Sequence, residues 1–516
     1  MRRLLSLALA LTLCLSLTGC WEPDIEEPEE FWELEQPEET NAEESAAPAV
    51  FTLPWLSSQT LDPIACSDGA QQSVASLLYE GLFALDERFE PQNALCASFS
   101  RSGLTYTFTL RENAAFSDGS PLTSADVLAT YRRAQASERY GTRFANIVSM
   151  RGGNGTISLT LSRADSALPA LLDIPIVKSG TEKETAPLGT GPYRVVTEDG
   201  VTSLVRNAVW WGDGSALPER VALSPAKDAD TAAYLFSAGK VHLLTADLLG
   251  DSPAASIGGT DVVDVPTTTL LYLGCNTRRA ALSDKTLRAA LGAAIDRRSI
   301  TASLLAQHAC PAQFPLSPAS PLYPAALETA FASDAYAAAL EGRLVSNEDI
   351  TPAGSDPIAL TLLVNEESAV KTALAAYLAE ELTASYLTVT VLALPWEEYL
   401  DALQSGEFDL YLGETRLTAD WDVSSLVGSN GALNYGGYAN AALDAALTAF
   451  LADENETTAA AFCALLAEEA PILPLVFKSA SVLTPAGTVG VVAPTVSHPL
   501  RALEQWTFSL DEKSSP

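Results

Sequence analysis

Residues 358–413 alternate between segments typical of buried strands and segments typical of helices. Strands that alternate with helices form parallel βαβ units, because a crossover is needed before the next strand can run in the same direction. The region therefore predicts an α/β fold. The five segments are a strand at Ile358–Val364, a helix at Ala369–Leu382, a strand at Leu387–Leu392, a helix at Trp396–Gln404 and a strand at Phe408–Gly413.

Local patterns predict further elements before this block. Leu104–Arg111 alternates strictly between apolar and polar residues, which indicates a half-buried strand. Thr123 with Asp126 three residues later predicts a capped helix start. Helical spacing predicts a helix over Gln71–Leu82 that ends at Gly81, and Ser283 is the expected cap of a later helix.

The segment Leu188–Val195 contains two glycines and a proline, which fix a tight backbone path ahead of a strand. We interpret it as the point at which the chain returns to a central sheet after its first excursion. An ordinary strand-entry loop is the alternative.

Length and charge limit the classes of protein that fit. At 516 residues the chain is longer than a single hydrophobic core organises, so two or three lobes are expected. The formal net charge of −35 argues against a nucleic-acid partner, because such a chain repels phosphate.

The N-terminal segment is typical of an export signal. Arg2 and Arg3 precede an apolar run, Leu4–Leu17, that is shorter than the about 17–25 residues of a membrane-spanning helix. Small residues lead to Cys20, as in a bacterial lipobox, in which cleavage leaves this cysteine as a lipid-carrying N-terminus. An ordinary secretory signal is the alternative. Trp21–Pro48 is rich in acids and has no Lys or Arg, which predicts an extended linker.

The side chains that most often carry catalysis or bind metals are sparse. The HExxH, GxSxG, Walker and GxGxxG patterns are absent. The later cysteines form no CxxC pair, so we expect buried free thiols, although a disulfide between Cys66 and Cys96 is allowed. We expect no cofactor, no metal and no catalysis, while a carboxylate pair of the glycosidase type stays open. The three histidines, expected in the core or at the surface, are His242, His308 and His498.

Ten short stretches occur in an order that resembles one known family, the bacterial extracellular solute-binding proteins of family 5. These are the receptors of peptide and nickel ABC importers. The matching stretches are Leu61–Pro63, Tyr79–Leu82, Leu104–Arg111, Phe116–Val127, Gly189–Val195, Leu273–Thr277, Leu287–Leu291, Ala294–Arg297, Phe408–Leu410 and Pro474–Leu475.

The resemblance implies a two-lobed α/β fold of the periplasmic-binding-protein type (type II) with an inserted subdomain and a two-strand hinge, which closes on its ligand. The crossing strands would be Thr267–Thr277 and Ile472–Lys478. The implied divisions are a signal peptide at 1–19, a linker at 20–48, a first lobe at 49–70, 185–274 and 476–516, an inserted subdomain at 71–184 and a second lobe at 275–475.

The resemblance also implies ligand-binding residues after the strand Phe408–Gly413. In peptide-binding members an aspartate there pairs with the peptide α-amino group, and Asp420 matches its position. Trp396 matches a tryptophan that would wall the pocket, and Trp421 lies beside the anchor. Asp420 has an alternative role as the cap of a helix at Val423–Leu426, and both tryptophans could be core residues.

Two positions depart from the family pattern. Glu414, which we also expect to contact the ligand, replaces the family's aromatic residue, and Asp422-Val423 replaces its usual Asp-Pro. Arg416 either clamps a substrate carboxylate or pairs with Glu414, because Arg–carboxylate forks serve both uses.

The function implied by this resemblance is a monomeric substrate-binding lipoprotein of an ABC importer, lipid-anchored to the outer face of the bacterial cell membrane. Its partners would be a small solute, in first place an oligopeptide, and the permease subunits. A surface sensor on the same fold and an exported hydrolase are the alternatives.

Overall fold

The computed structural model describes residues 50–345 and 357–510. The predicted signal peptide (1–19), the acidic linker (20–48) and the lipid-attachment residue Cys20 lie outside the described residues. Within the two described ranges, no helix is both long and apolar enough to cross a membrane.

Strands of the described residues are numbered in chain order. They are β1 (Thr52–Leu56), β2 (Phe83–Leu85), β3 (Pro91–Asn93), β4 (Cys96–Ser102), β5 (Thr105–Leu110), β6 (Ile147–Gly153), β7 (Thr156–Leu161), β8 (Tyr193–Glu198), β9 (Val201–Arg206), β10 (Arg220–Ala226), β11 (Leu244–Ala246), β12 (Thr260–Cys275), β13 (Ala309–Pro311), β14 (Ile358–Asn365), β15 (Leu387–Leu394), β16 (Leu410–Arg416), β17 (Ile472–Pro485), β18 (Val489–Gly490) and β19 (Thr507–Phe508).

Helices follow or separate these strands, with 3₁₀ turns at Gly141–Phe144, Leu168–Leu171, Pro253–Ser256, Ala281–Ser283 and Leu503–Gln505 and a π turn at Ile300–Leu304. The α-helices are Gly69–Ala75, Ser124–Gln135, Ala229–Ser237, Lys285–Ala294, Arg297–Ser299, Ala325–Phe331, Asp334–Val345, Ala369–Leu382, Trp396–Ser405, Ser424–Val427, Ala441–Ala452 and Glu456–Glu469.

The largest sheet has the strand order β11-β17-β12-β16-β14-β15, with β13 added alongside β17. β14 pairs in parallel with both β15 and β16, which confirms the predicted βαβ units. β12 and β17 are the longest strands, and they pair with each other in antiparallel fashion over nearly their whole lengths.

Apolar helices cover both faces of this sheet. On one face Leu287 and Leu374, from helices Lys285–Ala294 and Ala369–Leu382, pack against the sheet. On the other face Tyr399 and Phe462 do so from the helices Trp396–Ser405 and Glu456–Glu469. Because the central strands are buried on both faces, they read as continuous apolar runs in the sequence.

Two four-stranded sheets precede the largest one. One has the order β1-β10-β9-β8, and the other, which we call the small sheet, has the order β4-β5-β7-β6. Helix Ser124–Gln135 packs on the small sheet through Val127 and Tyr131. The predicted capping box at Thr123 is confirmed, since the Thr123 side chain accepts from the Asp126 N–H and Asp126 accepts from the Thr123 N–H at 3.0 Å.

The turn at Gly189–Tyr193 explains why one predicted helix is too long. Helix Gly69–Ala75 ends well before Gly81, because the next residues bond the turn instead. Gly191 N–H donates to Leu78 O at 2.9 Å, and Tyr193 N–H donates to Leu77 O at 3.0 Å. Tertiary backbone pairing therefore overrides the helical periodicity of Gln71–Leu82.

One smaller prediction is also corrected. Asp284 rather than Ser283 caps helix Lys285–Ala294, and its carboxylate accepts from the Thr286 N–H at 2.6 Å.

The cysteines of the described residues are all free thiols. Cys66, Cys96, Cys275 and Cys463 are buried as predicted, Cys310 is exposed, and the disulfide allowed between Cys66 and Cys96 is not formed.

The sheets are arranged in keeping with the predicted lobes, whose boundaries stay a prediction. The small sheet falls inside the proposed insertion at 71–184. β12 ends where the second lobe is expected to begin, and β17 runs across its expected end at residue 475.

Candidate ligand-binding cleft

A cavity of about 280 Å³ lies where five parts of the chain meet, and we call it the central cavity. Two of these parts are the segment from Pro63 to Tyr79 and the pair Asp173 and Pro175. The segment after helix Ser124–Gln135 contributes Arg139, Tyr140 and Arg143. The end of β16 contributes Arg416–Thr418, and the C-terminal segment contributes Val496–His498. None of these three walls adjoins another in sequence, so only the complete fold forms the cavity.

A second cavity of about 220 Å³ shares part of this lining and lies next to the central cavity. Both are lined by Arg143, Asp173, Arg416, Val496 and Ser497, among others. The two cavities therefore belong to one continuous cleft.

Arg416 is the last residue of β16 and lines both cavities. Its guanidinium makes no hydrogen bond or ion pair with any residue of the described part of the chain. The Arg416 side chain is exposed in the cleft. Partial removal from water and the positive charges of Arg139 and Arg143 lower the pKa of Arg416, while Tyr140 and Asp173 act in the opposite direction. Its N–H groups are available to donate to an anion.

Glu414 does not pair with Arg416, so that alternative is wrong. Its carboxylate lies 2.7 Å from Lys371 Nζ and 3.4 Å from Lys478 Nζ. Burial alone would raise the pKa of Glu414, but the two lysines outweigh it and hold the value below its usual range. Lys478 also pairs with Asp247. The two lysines and two acids of this cluster therefore carry no net charge.

Arg143 and Arg139 have different partners. Arg143 forms an ion pair with the buried Asp173 and donates to Leu171 O at 3.3 Å. Arg139 donates only to neutral acceptors, the Cys66 carbonyl at 3.1 Å and Gln72 Oε1 at 2.9 Å. Both guanidiniums lie over the ring of Tyr140, at 5.1 and 5.2 Å from its centre.

Asp420 lies beneath the cleft surface and lines neither cavity. It is 4% exposed, and its Oδ1 accepts from the Thr418 hydroxyl and from the Asp422 N–H at 3.3 Å. Burial and the nearby Asp165 raise the pKa of Asp420 to about 7. The alternative role as a helix cap is wrong, because Asp422 accepts from the Ser424 N–H at the start of helix Ser424–Val427.

The two predicted tryptophans lie outside both cavities. Trp421 is 2% exposed and packs edge-on against Phe89 and Phe477, with ring centres 5.2 and 6.0 Å away, as a core residue does. Trp396 is 49% exposed at the start of its helix and stacks on Tyr399 at 5.8 Å.

Sequence reasoning missed Arg139, Arg143 and His498 as cleft residues. One signal was available, since residues 132–143 hold four arginines in a strongly acidic chain. His498 gave no such signal. Its Nδ1 is buried without a hydrogen-bond partner among the described residues, and burial lowers its pKa. The other histidines are partnered, since His242 accepts from the Thr52 N–H at 3.0 Å and His308 contacts Asp264.

The cleft has the composition of a binding site for a polar solute. No group of His, Cys, Asp or Glu side chains in the described residues is arranged to hold a metal ion. The α/β fold with this cleft defines the class of small-solute binding proteins of the periplasmic-binding-protein type.

The model of the family described as bacterial extracellular solute-binding proteins, family 5 (middle), matches residues 90–435, more than half of the chain. The chain therefore belongs to this family. The assignment confirms the resemblance, the fold class and the prediction of an extracellular solute-binding protein.

A curated relative is the glutathione-binding protein GsiB of Salmonella typhi, 28% identical over 273 residues. The match covers 49% of this chain and 53% of that protein, so the chain spans about half the length of the curated relatives it matches.

Solved structures share the fold over nearly all their length. The ABC transporter substrate-binding protein CtaP of Listeria monocytogenes is 20% identical with a TM-score of 0.67, covering 89% of this chain and 99% of that one. The murein tripeptide-binding protein MppA, in an unliganded open form, is 21% identical with a TM-score of 0.70, covering 88% and 96%.

Proposed function

We propose that the protein is the substrate-binding lipoprotein of an ABC importer, and that it binds a short peptide in the cleft and passes it on unchanged to the permease. Cys20 would carry the lipid that holds it to the outer face of the cell membrane. Family membership supports the binding role. The names of the relatives support short peptides as the solute class, since two of them bind glutathione and a murein tripeptide.

The observation that carries the proposal is the unpaired guanidinium of Arg416 in the central cavity. A guanidinium fork binds a carboxylate through two parallel hydrogen bonds, and every unmodified peptide has one carboxylate at its C-terminus. The cavity of about 280 Å³ is near the lower end of the range for small-molecule sites, roughly 300–1,000 Å³, which suits a short peptide.

Closure of two lobes about β12 and β17 is the proposed mechanism. Contacts that would change on opening join the segment at residues 163–166 to residues 420–454. Arg163 pairs with Asp422, Ser166 N–H donates to Leu451 O at 2.9 Å, and Glu454 N–H donates to the Ser166 hydroxyl at 2.8 Å. A solute that contacts both sides binds the closed form better and so shifts the population toward it.

Asp420 is our candidate for binding the peptide α-amino group once the cleft has opened. A buried carboxylate without a cationic partner is stabilised by an incoming ammonium, which would return its pKa to a low value. Trp421 would support this anchor from the core, and Trp396 would contact only a solute that extends beyond both cavities.

Native mass spectrometry of the full chain, purified in mild detergent, tests the proposal. We expect a retained small peptide, or one-to-one binding of an added peptide mixture, with the bound peptide recovered intact after denaturation. Neither retention nor binding would contradict the proposal, and recovery of cleaved peptide would favour the hydrolase. Arg416→Gln is expected to lose the bound peptide, whereas Arg151→Gln, exposed on β6 away from the cleft, is expected to keep it.

A further inference from the structure

We propose that the solute carries two carboxylates, and that Arg416 binds one of them while Arg139, which lines the same central cavity, binds the other. This inference rests on the proposed function and narrows the solute to dicarboxylate short peptides. It concerns Arg139 and its segment, to which neither the family description nor the names of the relatives assigns a role.

Positive charge exceeds negative charge around the central cavity. Three arginines line it, Arg139, Arg143 and Arg416. Asp173 pairs with Arg143 through one oxygen, and its other oxygen accepts from the Ser497 hydroxyl at 3.1 Å. The second acid of the lining, Glu138, is exposed and forms no ion pair within the described ranges, so the lining carries an excess of one positive charge. Arg139 and Arg416 are the two guanidiniums without an ion-pair partner in those ranges.

Arg139 is held in place without being neutralised. Its two terminal nitrogens donate to the Cys66 carbonyl and to Gln72 Oε1, and its guanidinium lies over the Tyr140 ring. Neutral acceptors orient a guanidinium but leave its full charge. Because a guanidinium has five N–H donors, these two contacts leave donors for a ligand. A pre-oriented cation binds an anion with little further loss of side-chain entropy.

The positive charges around the central cavity repel one another. Arg139 and Arg143 both act on Arg416 through their positive charge. Like charges gathered in a partly buried site are disfavoured until counter-charges arrive. The chain as a whole carries −35, so a local excess of arginine is contrary to its general composition. Such an excess is expected where an anion has to be bound against the field of the rest of the molecule.

Two separate carboxylates fit this arrangement better than one. Arg139 belongs to the segment that follows helix Ser124–Gln135, and Arg416 is the last residue of β16 in the largest sheet. A single carboxylate offers two oxygens in one plane and satisfies one guanidinium fork. A peptide with a second carboxylate, on a side chain or in a γ-linked residue, can reach both walls at once. Buried Nδ1 of His498 adds a further polar atom without a partner in the described structure.

Matched ligands test the number of charges. Calorimetric titration of the full chain in detergent would compare glutathione with the analogue that carries an amide in place of its γ-glutamyl α-carboxylate, and the tripeptide Gly-Glu-Gly with Gly-Gln-Gly. The members of each pair differ by one carboxylate. We expect at least one dicarboxylate to bind tenfold to roughly a hundredfold more tightly than its amide, the usual gain from a charge-assisted hydrogen bond.

Variants then locate the two carboxylates. Arg139→Gln is expected to remove the preference for the dicarboxylate while leaving the affinity for the amide nearly unchanged, and Arg416→Gln is expected to weaken both. Arg139→Lys, which keeps the charge but loses the fork, should restore part of the preference. Arg151→Gln is the control and should behave as the parent does. Thermal unfolding confirms that each variant is folded.

Each outcome bears on one of the two proposals. Equal affinity for both members of each pair would overturn the two-carboxylate inference and leave the proposed function standing. A preference that survives Arg139→Gln would overturn the role of Arg139. Competition by inorganic phosphate at concentrations similar to those of the peptides would show a general anion site and would also overturn the inference. If the protein binds no peptide at all, the proposed function itself is wrong.

Discussion

Single residues decide whether two backbone segments can pack closely, and Gly191 is a clear instance. A Cβ atom at this position would lie 2.6 Å from Leu77 O, closer than any real Cβ contact, and the obstacle is backbone that cannot rotate away. The neighbouring Gly189 is similarly crowded against Leu78 O. The sequence motif with its two glycines is therefore explained by close backbone approach.

We expect Gly191→Ala to lower the free energy of unfolding by about 1–3 kcal/mol, the usual cost of forcing an extra methyl group into a packed region. Urea denaturation followed by circular dichroism measures the change. Gly153→Ala is the matched control, since a Cβ there meets nothing within 4 Å, and it should change stability by no more than about 0.5 kcal/mol. Equal stability of the two variants would contradict this account.

Some residues of the cleft could be identified from the sequence, and others could not. Arg416 was considered because the family resemblance directs attention to the segment between the strand Phe408–Gly413 and Asp420. Arg139 and His498 were missed because they are far from β16 in sequence, and only the fold brings them to the same cavity. Asp420 was identified by position, but nothing local in the sequence indicates that Thr418 and Asp422 hold it below the surface.

At the scale of elements, buried acids meet where the loop at residues 163–166 contacts residues 420–454. The groups facing one another are Asp165, Asp420 and Glu454, together with the ion pair of Arg163 and Asp422. Burial raises the pKa of Glu454 to about 10 and, with Asp165, that of Asp420 to about 7. Buried oxygens of Asp165 and Glu454 have no hydrogen-bond partner in the described structure.

An acid whose pKa is raised on folding favours the folded state only while it is protonated. Its unfolded value is about 4, so stability should fall as the pH rises from about 4 to the folded value of about 7. We expect Asp420→Asn to lose less stability between pH 5 and pH 8 than the parent does, as measured by urea denaturation at both values. Asp401→Asn, on an exposed helix position, is the control. An unchanged pH dependence in Asp420→Asn would contradict the prediction.

Helices and strands were predicted well where their own sequence determines their bounds. They were predicted poorly where residues far away in sequence pair with them. The helix expected at Ala369–Leu382 has those bounds, because its periodicity and its flanking strands agree. The helix expected over Gln71–Leu82 is shorter, because backbone groups after Ala75 pair with a turn more than a hundred residues later. Hydrophobic periodicity carries no information about such a partner.

At the scale of the whole molecule, the proposed hinge predicts a change of shape. We expect small-angle X-ray scattering of the full chain in detergent-free lipid nanodiscs, or of the chain in solution, to show a smaller radius of gyration once a binding peptide is added. The cause is that bound solute favours the closed form. A saturable ligand that leaves the radius unchanged would argue against closure.

The C-terminal segment Val496–His498 forms one wall of the central cavity, next to residues from the first third of the chain. Until residues 496–498 have folded into place, the central cavity lacks one of its walls. A partly folded chain therefore does not offer the whole cavity to a ligand.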